Sequence, residues 1–353
     1  MQNKEKTCLQ IGDLCASVPV IQGGMGVGIS LSGLAGAVAA EGGVGIISTA
    51  QIGYREPDFD EHPIEANLRA IAKEIKLAKE IGNGGIVGVN IMVATRDYDR
   101  YVKAAIEGGA DLIISGAGLP VNLPQLAAGS SVKLAPIVSS VKSAEVILKY
   151  WQRKYDRLPD LVVIEGPRAG GHLGFRMEEL QEIDDAAYDE EIKRIIACVQ
   201  TYAKAKEKEI PVVVAGGVYE RADMEHYMAL GAAGVQMATR FVTTYECDAT
   251  DAYKQAYIDA KKEDIVIVKS PVGMPGRAIL NPFMALAAKG PIPHGKCHLC
   301  ISTCKPAQTP YCITEALVNA AVGNIDKALL FCGSNAYRAQ KLEHVKDIMD
   351  EFR

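Results

Sequence analysis

Residues 211–241 read PVVVAGGVYERADMEHYMALGAAGVQMATRF, and this stretch decides the fold. The β-branched run Val212–Ala215 stops at Gly216-Gly217, and a second short run, Gly234–Ala238, follows a polar segment of helical spacing. Two such runs joined by a helix pair in parallel, because a parallel crossover needs a long connection. The first run has no polar alternation, so both of its faces are covered. The segment LVVIE, residues 161–165, has the same character.

Working outward, the same unit recurs along the chain. Strands are expected at Val20–Gln22, Val44–Ser48, Ile86–Asn90, Asp111–Ser115, Lys133–Val138, Leu161–Glu165, Val212–Ala215 and Gly234–Ala238. Helices are expected between them, clearest over Ala66–Ile81 and from Glu190 onward, where apolar residues return every three or four positions. Eight strands in roughly 220 residues are the count of a (β/α)₈ TIM barrel. A doubly wound open sheet is the weaker alternative, since no GxGxxG followed by an acidic residue marks its ligand site. The barrel should occupy residues 1–243. Residues 244–353 then form a C-terminal extension that packs on the barrel and covers the active site. It should have a loop-rich middle (Ser270–Pro310) and two closing helices, near Ile313–Val322 and Asn335–Glu351.

Composition narrows the function. Of 353 residues 48% are hydrophobic and 23% charged, which suits a folded globular protein and not a disordered one. A net charge of −5 argues against nucleic acid as a partner. The first 30 residues carry no secretory signal pattern. Leu14 to Ala40 is free of charge, but Pro19, Gln22 and its glycines make it strand, loop and helix rather than a membrane span. A cytoplasmic protein is expected, with its nine cysteines reduced.

Barrel enzymes place their chemistry at the C-terminal ends of the strands. Glycines and small polar residues gather there: Gly23-Gly24-Met25-Gly26 after the first strand, Asn90 at the third, and Ser115-Gly116-Ala117-Gly118 at the fourth. Glu165 ends the sixth and leads into Gly166-Pro167-Arg168-Ala169-Gly170-Gly171-His172; Gly216-Gly217 and Ala238-Thr239-Arg240 follow the last two. Gly216-Gly217 lets backbone N–H groups approach an anion, and Thr239 adds a hydroxyl. Gly23-Gly24-Met25 lets backbone lie against a flat ligand. A planar ring at one loop and a phosphate at two others describe FMN; tight turns packed on the following helices are the plainer reading.

His172 is the candidate for acid–base work, because it lies among glycines in a long loop just past a strand end. His62, His226 and His344, the last on the terminal helix, read as solvated. Cys297, Cys300, Cys304 and Cys312, with His294 and His298 nearby, are spaced to hold zinc or an iron–sulfur cluster, although the spacing matches no standard signature; reduced structural thiols are the competing reading. Cys8, Cys15, Cys198, Cys247 and Cys332 read as small hydrophobes.

The segments PVIQGGMG, GVNIM, SGAG, EGPRAGGHLGF, VVVAGGV and GAAGVQMATRF, in that order, resemble the nitronate monooxygenases, older name 2-nitropropane dioxygenases. These share their barrel with the enoyl-ACP reductase II enzymes. KSPVGMPGRAI in the extension looks like the same group. The resemblance implies non-covalent FMN at the C-terminal rim. Gly23, Gly24 and Met25 would lie along the ring, with Asn90 and Lys133 near the ring or ribityl chain. Gly170 and Gly171 would border the ring, Gly216, Gly217 and Thr239 would hold the phosphate, and His172 falls on the family's catalytic histidine. Glu165 and Ala238 complete the cofactor-binding set; Ala238 departs from the usual glycine of QMGTRF. The implied activity is oxidation of nitronates or nitroalkanes with O₂ to carbonyl compounds and nitrite. The alternative is NAD(P)H-dependent reduction of enoyl thioesters. Either way the partners are small molecules, and a homodimer is plausible because the extension adds apolar surface.

Overall fold

The computed structural model describes residues 8–182 and 184–353. Eight strands close a parallel barrel: β3 (Val20–Gln22), β4 (Val44–Ser48), β5 (Ile86–Met92), β6 (Leu112–Gly116), β7 (Lys133–Val138), β8 (Val162–Glu165), β10 (Val212–Ala215) and β11 (Gly234–Met237). They follow chain order around the cylinder, and β11 pairs with β3 to close it through Val235 beside Val20. Two strands precede the barrel, β1 (Leu9–Ile11) and β2 (Leu14–Ala16), as a hairpin turned on Gly12-Asp13.

Period-2 geometry explains why the strands read as unbroken apolar runs. Ile46, Leu112, Ile114, Val163 and Val213 fill the interior together with Leu9, Ile11 and Ala16 of the hairpin. Their neighbours Ile47, Ile113, Val162, Val212 and Val214 face the surrounding helices. Both faces are thus buried, as the sequence pattern requires. The helix expected over Ala66–Ile81 spans Pro63–Gly82, starts on a proline and ends at Asn83 in a left-handed conformation. The helix expected from Glu190 spans Asp185–Ala205.

The middle of the extension, Ser270–Pro310, is loop-rich as expected, with short elements near its start: β12 (Ile265–Lys269), just before it, forms a hairpin with β13 (Pro275–Ile279), and a short helix covers Pro282–Ala287. β13 also pairs with β9 (Gly171–His172), so the extension adds strands to the loop that carries His172. The closing segment is a helix only over Val345–Glu351, while Asn335 leads into a single 3₁₀ turn, Ala336–Arg338. Glu343 explains the interruption. Its backbone bridges to Thr244, and its carboxylate meets the buried Arg240 guanidinium at 2.9 Å. Glu351 binds Arg240 from the other side at 2.6 Å. This region therefore docks on the barrel through paired charge, and a continuous helix cannot present both carboxylates to one arginine. His344 sits exposed, as expected, at the N-terminal boundary of the last helix, where it hydrogen-bonds to Glu246.

Cys8 and Cys15 are joined as a disulfide across the β1–β2 hairpin, with Cα atoms 5.8 Å apart, so they are not simple hydrophobes. Among the described residues no helix is long and apolar enough to cross a membrane.

Candidate active site

A cavity of about 240 Å³ opens at the C-terminal rim of the barrel. The barrel supplies its floor and one side: Gly24, Met25, Asn90, Glu165, Gly170, Gly171, Gly216, Gly217, Ala238 and Thr239 all line it. Gly23 lies just behind, its amide bonded to the carbonyl of Met237 at 2.9 Å. The extension supplies the opposite wall, including Val272, Ile313, Leu317, Phe331 and Gly333.

The glycines are there for room. A Cβ on Gly24 would sit 2.6 Å from that of Asn90. Gly216 has φ near +105°, and a Cβ there would meet the Ala169 backbone at 2.8 Å.

His172 is fixed from two sides. Its Nε2 is 2.7 Å from Ser270 Oγ, and its ring packs edge-on against Phe331 with centroids 4.9 Å apart. Nδ1 makes no hydrogen bond among the described residues. Burial drives the ring's pKa from 6.5 down to about 4, so the imidazole is neutral at physiological pH. Glu165 is displaced the opposite way: burial raises its carboxyl to about 7. Two titratable groups in one cavity, pushed apart in this manner, mark a functional site.

The loop between β8 and β9 is held from below by Arg277. Its Nη2 donates to the carbonyl of Pro167 at 2.9 Å, and its Nη1 to that of Ala169. Arg277 is buried and forms no ion pair among the described residues. Arg168, on the cavity wall, pairs with Asp185.

Two expectations are corrected here. Lys133 is the first residue of β7, so it lies at the N-terminal end of the barrel, where its amine pairs with Asp13 of the hairpin turn. It is a strand's length away from the rim and is not part of the cavity wall. Cys297, Cys300, Cys304 and Cys312 do share a second, small cavity with His294 and His298. Yet among the described residues no three His, Cys, Asp or Glu side chains converge as metal ligands would. Burial, with the neighbouring cysteines adding to it, raises the thiols of Cys300, Cys304 and Cys312. The His294 nitrogens are taken by the carbonyls of Gly295 and Pro306, and His298 Nε2 by Asp60. Cys300 instead reaches the main cavity, where it lines the wall.

The sequence singled out the segment holding Ser270 and Arg277, KSPVGMPGRAI, only as a likeness and gave neither residue a role, and it gave no sign of the 331–333 segment. The run IVIVK at 265–269 followed by a glycine-containing turn was the available signal for the hairpin that places the first two.

The fold and the rim cavity define a TIM-barrel protein with a candidate site whose wall is finished by an extension. The model of the nitronate monooxygenase family matches residues 10–352, and the chain belongs to that family. A probable nitronate monooxygenase of Staphylococcus saprophyticus is 33% identical over 129 residues, 35% of this chain and 33% of that protein. A 5-hydroxy-7a-methyl-1-oxo-octahydro-1H-indene-4-carboxyl-CoA dehydrogenase of Rhodococcus jostii is 26% identical over 74% of this chain and 62% of that protein. These alignments thus span from a third to under two thirds of the curated relatives. FabK from Thermotoga maritima superposes with a TM-score of 0.71 at 24% identity, covering 96% of this chain and 92% of that one. Nitroalkane oxidase from Streptomyces ansochromogenes gives 0.70 at 18% identity, over 95% and 94%. At these identities the two structures attest the fold.

Proposed function

We propose that this protein is an FMN-dependent nitronate monooxygenase, oxidising alkyl nitronates or nitroalkanes with O₂ to carbonyl compounds and nitrite. The observation that carries the reading is His172: a buried, neutral imidazole, anchored to Ser270 and set between a glycine rim and an apolar wall.

The residues present suit a flavin. Gln236 lines the cavity, and its Oε1 is buried without a hydrogen-bond partner, an arrangement that a polar ligand group would relieve. Gly24 and Gly216, each too closely packed on Asn90 and Ala169 to carry a side chain, present bare backbone to the cavity. Arg277 brings an unpaired buried cation beneath the loop that would border an anionic phosphate. On this reading Gly24, Met25 and Asn90 lie along the ring, Gly170 and Gly171 border it, and Gly216, Gly217 and Thr239 hold the phosphate. The Ala238 methyl, absent from the usual family motif, lies in the same wall.

When bound, the flavin supplies the electron acceptor. The chain does the rest. His172 Nδ1 accepts the α-proton of a neutral nitroalkane, a role open to an uncharged ring. Ser270 holds the ring in place for that transfer. Glu165, with a pKa near 7, retains a proton in much of the population at neutral pH and can donate a hydrogen bond. Val272, Ile313 and Leu317 seat the alkyl group and exclude water.

The same apolar wall favours a second reading, NAD(P)H-dependent reduction of an enoyl thioester, whose hydrocarbon chain it would also accept. One experiment separates them. Purified protein is given ethyl nitronate with oxygen, and nitrite is followed; in parallel it is given crotonyl thioester with NADPH. Nitrite release with a visible flavin spectrum is expected. Rapid NADPH consumption without nitrite would overturn the first reading in favour of the second.

A further inference from the structure

A line of side-chain amides runs from the barrel to the wall that the extension adds. Gln51 sits in the loop after β4, buried, with φ near +46°, a left-handed conformation that residues other than glycine rarely take. Backbone held in this way marks a side chain placed for a purpose. Gln51 Nε2 donates to the carbonyl of His298 at 3.3 Å and to Thr314 Oγ1 at 3.1 Å. Its Oε1 accepts from Asn67 Nδ2 at 2.7 Å. Asn67 is fully buried; its Nδ2 also donates to Tyr101 Oη at 2.7 Å, and its Oδ1 accepts from the Gly53 amide at 2.7 Å.

The two ends of this line fix the direction of every bond in it. The Gly53 amide can only donate, so the Asn67 atom facing it is the oxygen, and the Asn67 nitrogen faces Gln51. The His298 carbonyl can only accept, so the Gln51 atom facing it is the nitrogen. That nitrogen also reaches Thr314, whose hydroxyl oxygen therefore accepts, and the hydroxyl hydrogen is left to bond elsewhere. Thr314 is buried, lines the rim cavity and stands on the helix Ile313–Ala321 between Ile313 and Leu317, which line it too. Among the described residues no oxygen or nitrogen takes that hydrogen, and the Cys300 thiol beside it is a weak acceptor. The apolar wall thus carries a hydrogen-bond donor whose direction the barrel sets.

Charge narrows what this donor suits. Of the described residues lining the cavity, Arg168 is the only one with a permanent positive charge, and Asp185 already pairs with it. A carboxylate against this helix would be buried without a counter-charge, which is costly. A neutral carbonyl oxygen needs only the hydroxyl.

We propose that Thr314 is a specificity-determining residue, donating a hydrogen bond to a neutral carbonyl oxygen on the substrate's chain, and that Gln51 and Asn67 are positioning residues that keep its hydroxyl turned to that task. The proposal rests on the nitroalkane reading above and names a substrate class within it: nitroalkanes that carry a ketone, ester or amide away from the reacting carbon.

The test pairs 5-nitropentan-2-one with 1-nitropentane, which differ by one carbonyl group, and nitrite release with oxygen gives kcat and KM for each. The wild type should favour the ketone about five-fold in kcat/KM, the size of one neutral hydrogen bond. Thr314→Val, which keeps the shape and removes the hydroxyl, should erase that preference through KM rather than kcat. Thr314→Ser should keep it. Gln51→Glu is the sharper variant: it puts an oxygen where the nitrogen stood, so the Thr314 hydrogen turns to it. The preference should then vanish although the hydroxyl remains, an outcome that a packing role alone does not produce. A wild type without the preference, or a Thr314→Val variant that retains it, would overturn the proposal and leave the nitroalkane reading standing. A Gln51→Glu variant that retains it would overturn the positioning role. A wild type that releases nitrite from neither compound would overturn the nitroalkane reading itself, and the role of Thr314 with it.

Discussion

The barrel strands start at one end on Val20, Val44, Ile86 and Lys133, and finish at the other on Gln22, Ser48, Met92 and Val138. At the starting end the β1–β2 hairpin plugs the cylinder. Leu9 and Ile11 are fully buried in the interior cluster, and Lys133 pairs there with Asp13 of the hairpin turn. At the finishing end the cavity region holds buried polar groups without partners and displaced titratable side chains. Gln236 Oε1 and Ser334 Oγ have no partners, Gly216 and Gly217 have positive φ, and Glu165 and His172 are displaced from their ordinary pKa values. One set of strands thus begins in a region built for stability and ends in a region built for binding, and the two should fail in different ways.

The largest expected effect is at the finishing end. His172→Ala should lower the turnover of a neutral nitroalkane by about 10²–10⁴-fold, the range of a lost general base, while the visible flavin absorbance stays. A preformed nitronate should suffer far less, because its α-proton is already gone. A variant that keeps both its flavin and its full nitroalkane rate would place the proton transfer elsewhere.

The matching change at the plug should do the reverse. Ile11→Ala empties a fully buried site inside the barrel, and such truncations cost about 2–5 kcal/mol of stability. Denaturant melts should show that loss, with KM for the nitroalkane unchanged. A shift in KM larger than the shift in stability would mean that the two ends are mechanically coupled.

The same contrast explains what the sequence revealed. The barrel was legible because the strands repeat one local rule, a short apolar run closed in most cases by glycine or a small residue, and because the interior and the helix layer both demand apolar residues. Strand bounds such as Val44–Ser48 and Lys133–Val138 match the structure residue for residue. The extension has no such repeat. Its link to the site is a two-residue strand, Gly171–His172, paired with Pro275–Ile279 about a hundred positions later, and no local pattern announces a partner at that distance. Ser270 and Arg277 act through contacts of this long-range kind. The cysteine cluster misled for a related reason: spacing along the chain does not say where side chains converge, and among the described residues no three ligand side chains meet as a metal requires. The β1–β2 hairpin was missed although its Gly12-Asp13 turn sits between alternating residues.

A smaller effect should appear as a pH dependence of stability. His172 has a folded pKa near 4 against 6.5 when free, so the unfolded chain takes up its proton first. Its contribution is therefore complete above pH 6.5 and is lost as pH falls through 4. Glu165 has the opposite sign: with a folded pKa near 7 against 4.5, its contribution is complete below 4.5 and is lost as pH rises through 7. The two oppose each other between pH 4 and 7, so the wild type alone is uninformative. His172→Gln removes only the first. Its melting temperature should fall less steeply than that of the wild type between pH 6.5 and 4; parallel curves would mean the ring is not held neutral.

The smallest expected effect tests the division most sharply. The family resemblance implies a place for Lys133 beside the flavin ring or ribityl chain, whereas the structure puts it at the plug, at the first position of β7 and paired with an exposed Asp13. A side chain near the ring would contribute to flavin affinity and to the absorption maximum. One at the plug contributes to neither, and an ion pair with so exposed a partner adds little to stability. Lys133→Ala should thus leave FMN affinity, the flavin spectrum and KM at wild-type values, with at most a slight drop in melting temperature. A clear loss of flavin would mean that the starting end of the barrel reaches the site after all, through Ile137, which shares β7 with Lys133 and lines the cavity. Ile137→Ala then distinguishes transmission along the strand from direct contact. If β7 transmits the change, Ile137→Ala reproduces the loss; if Lys133 touches the flavin, it does not.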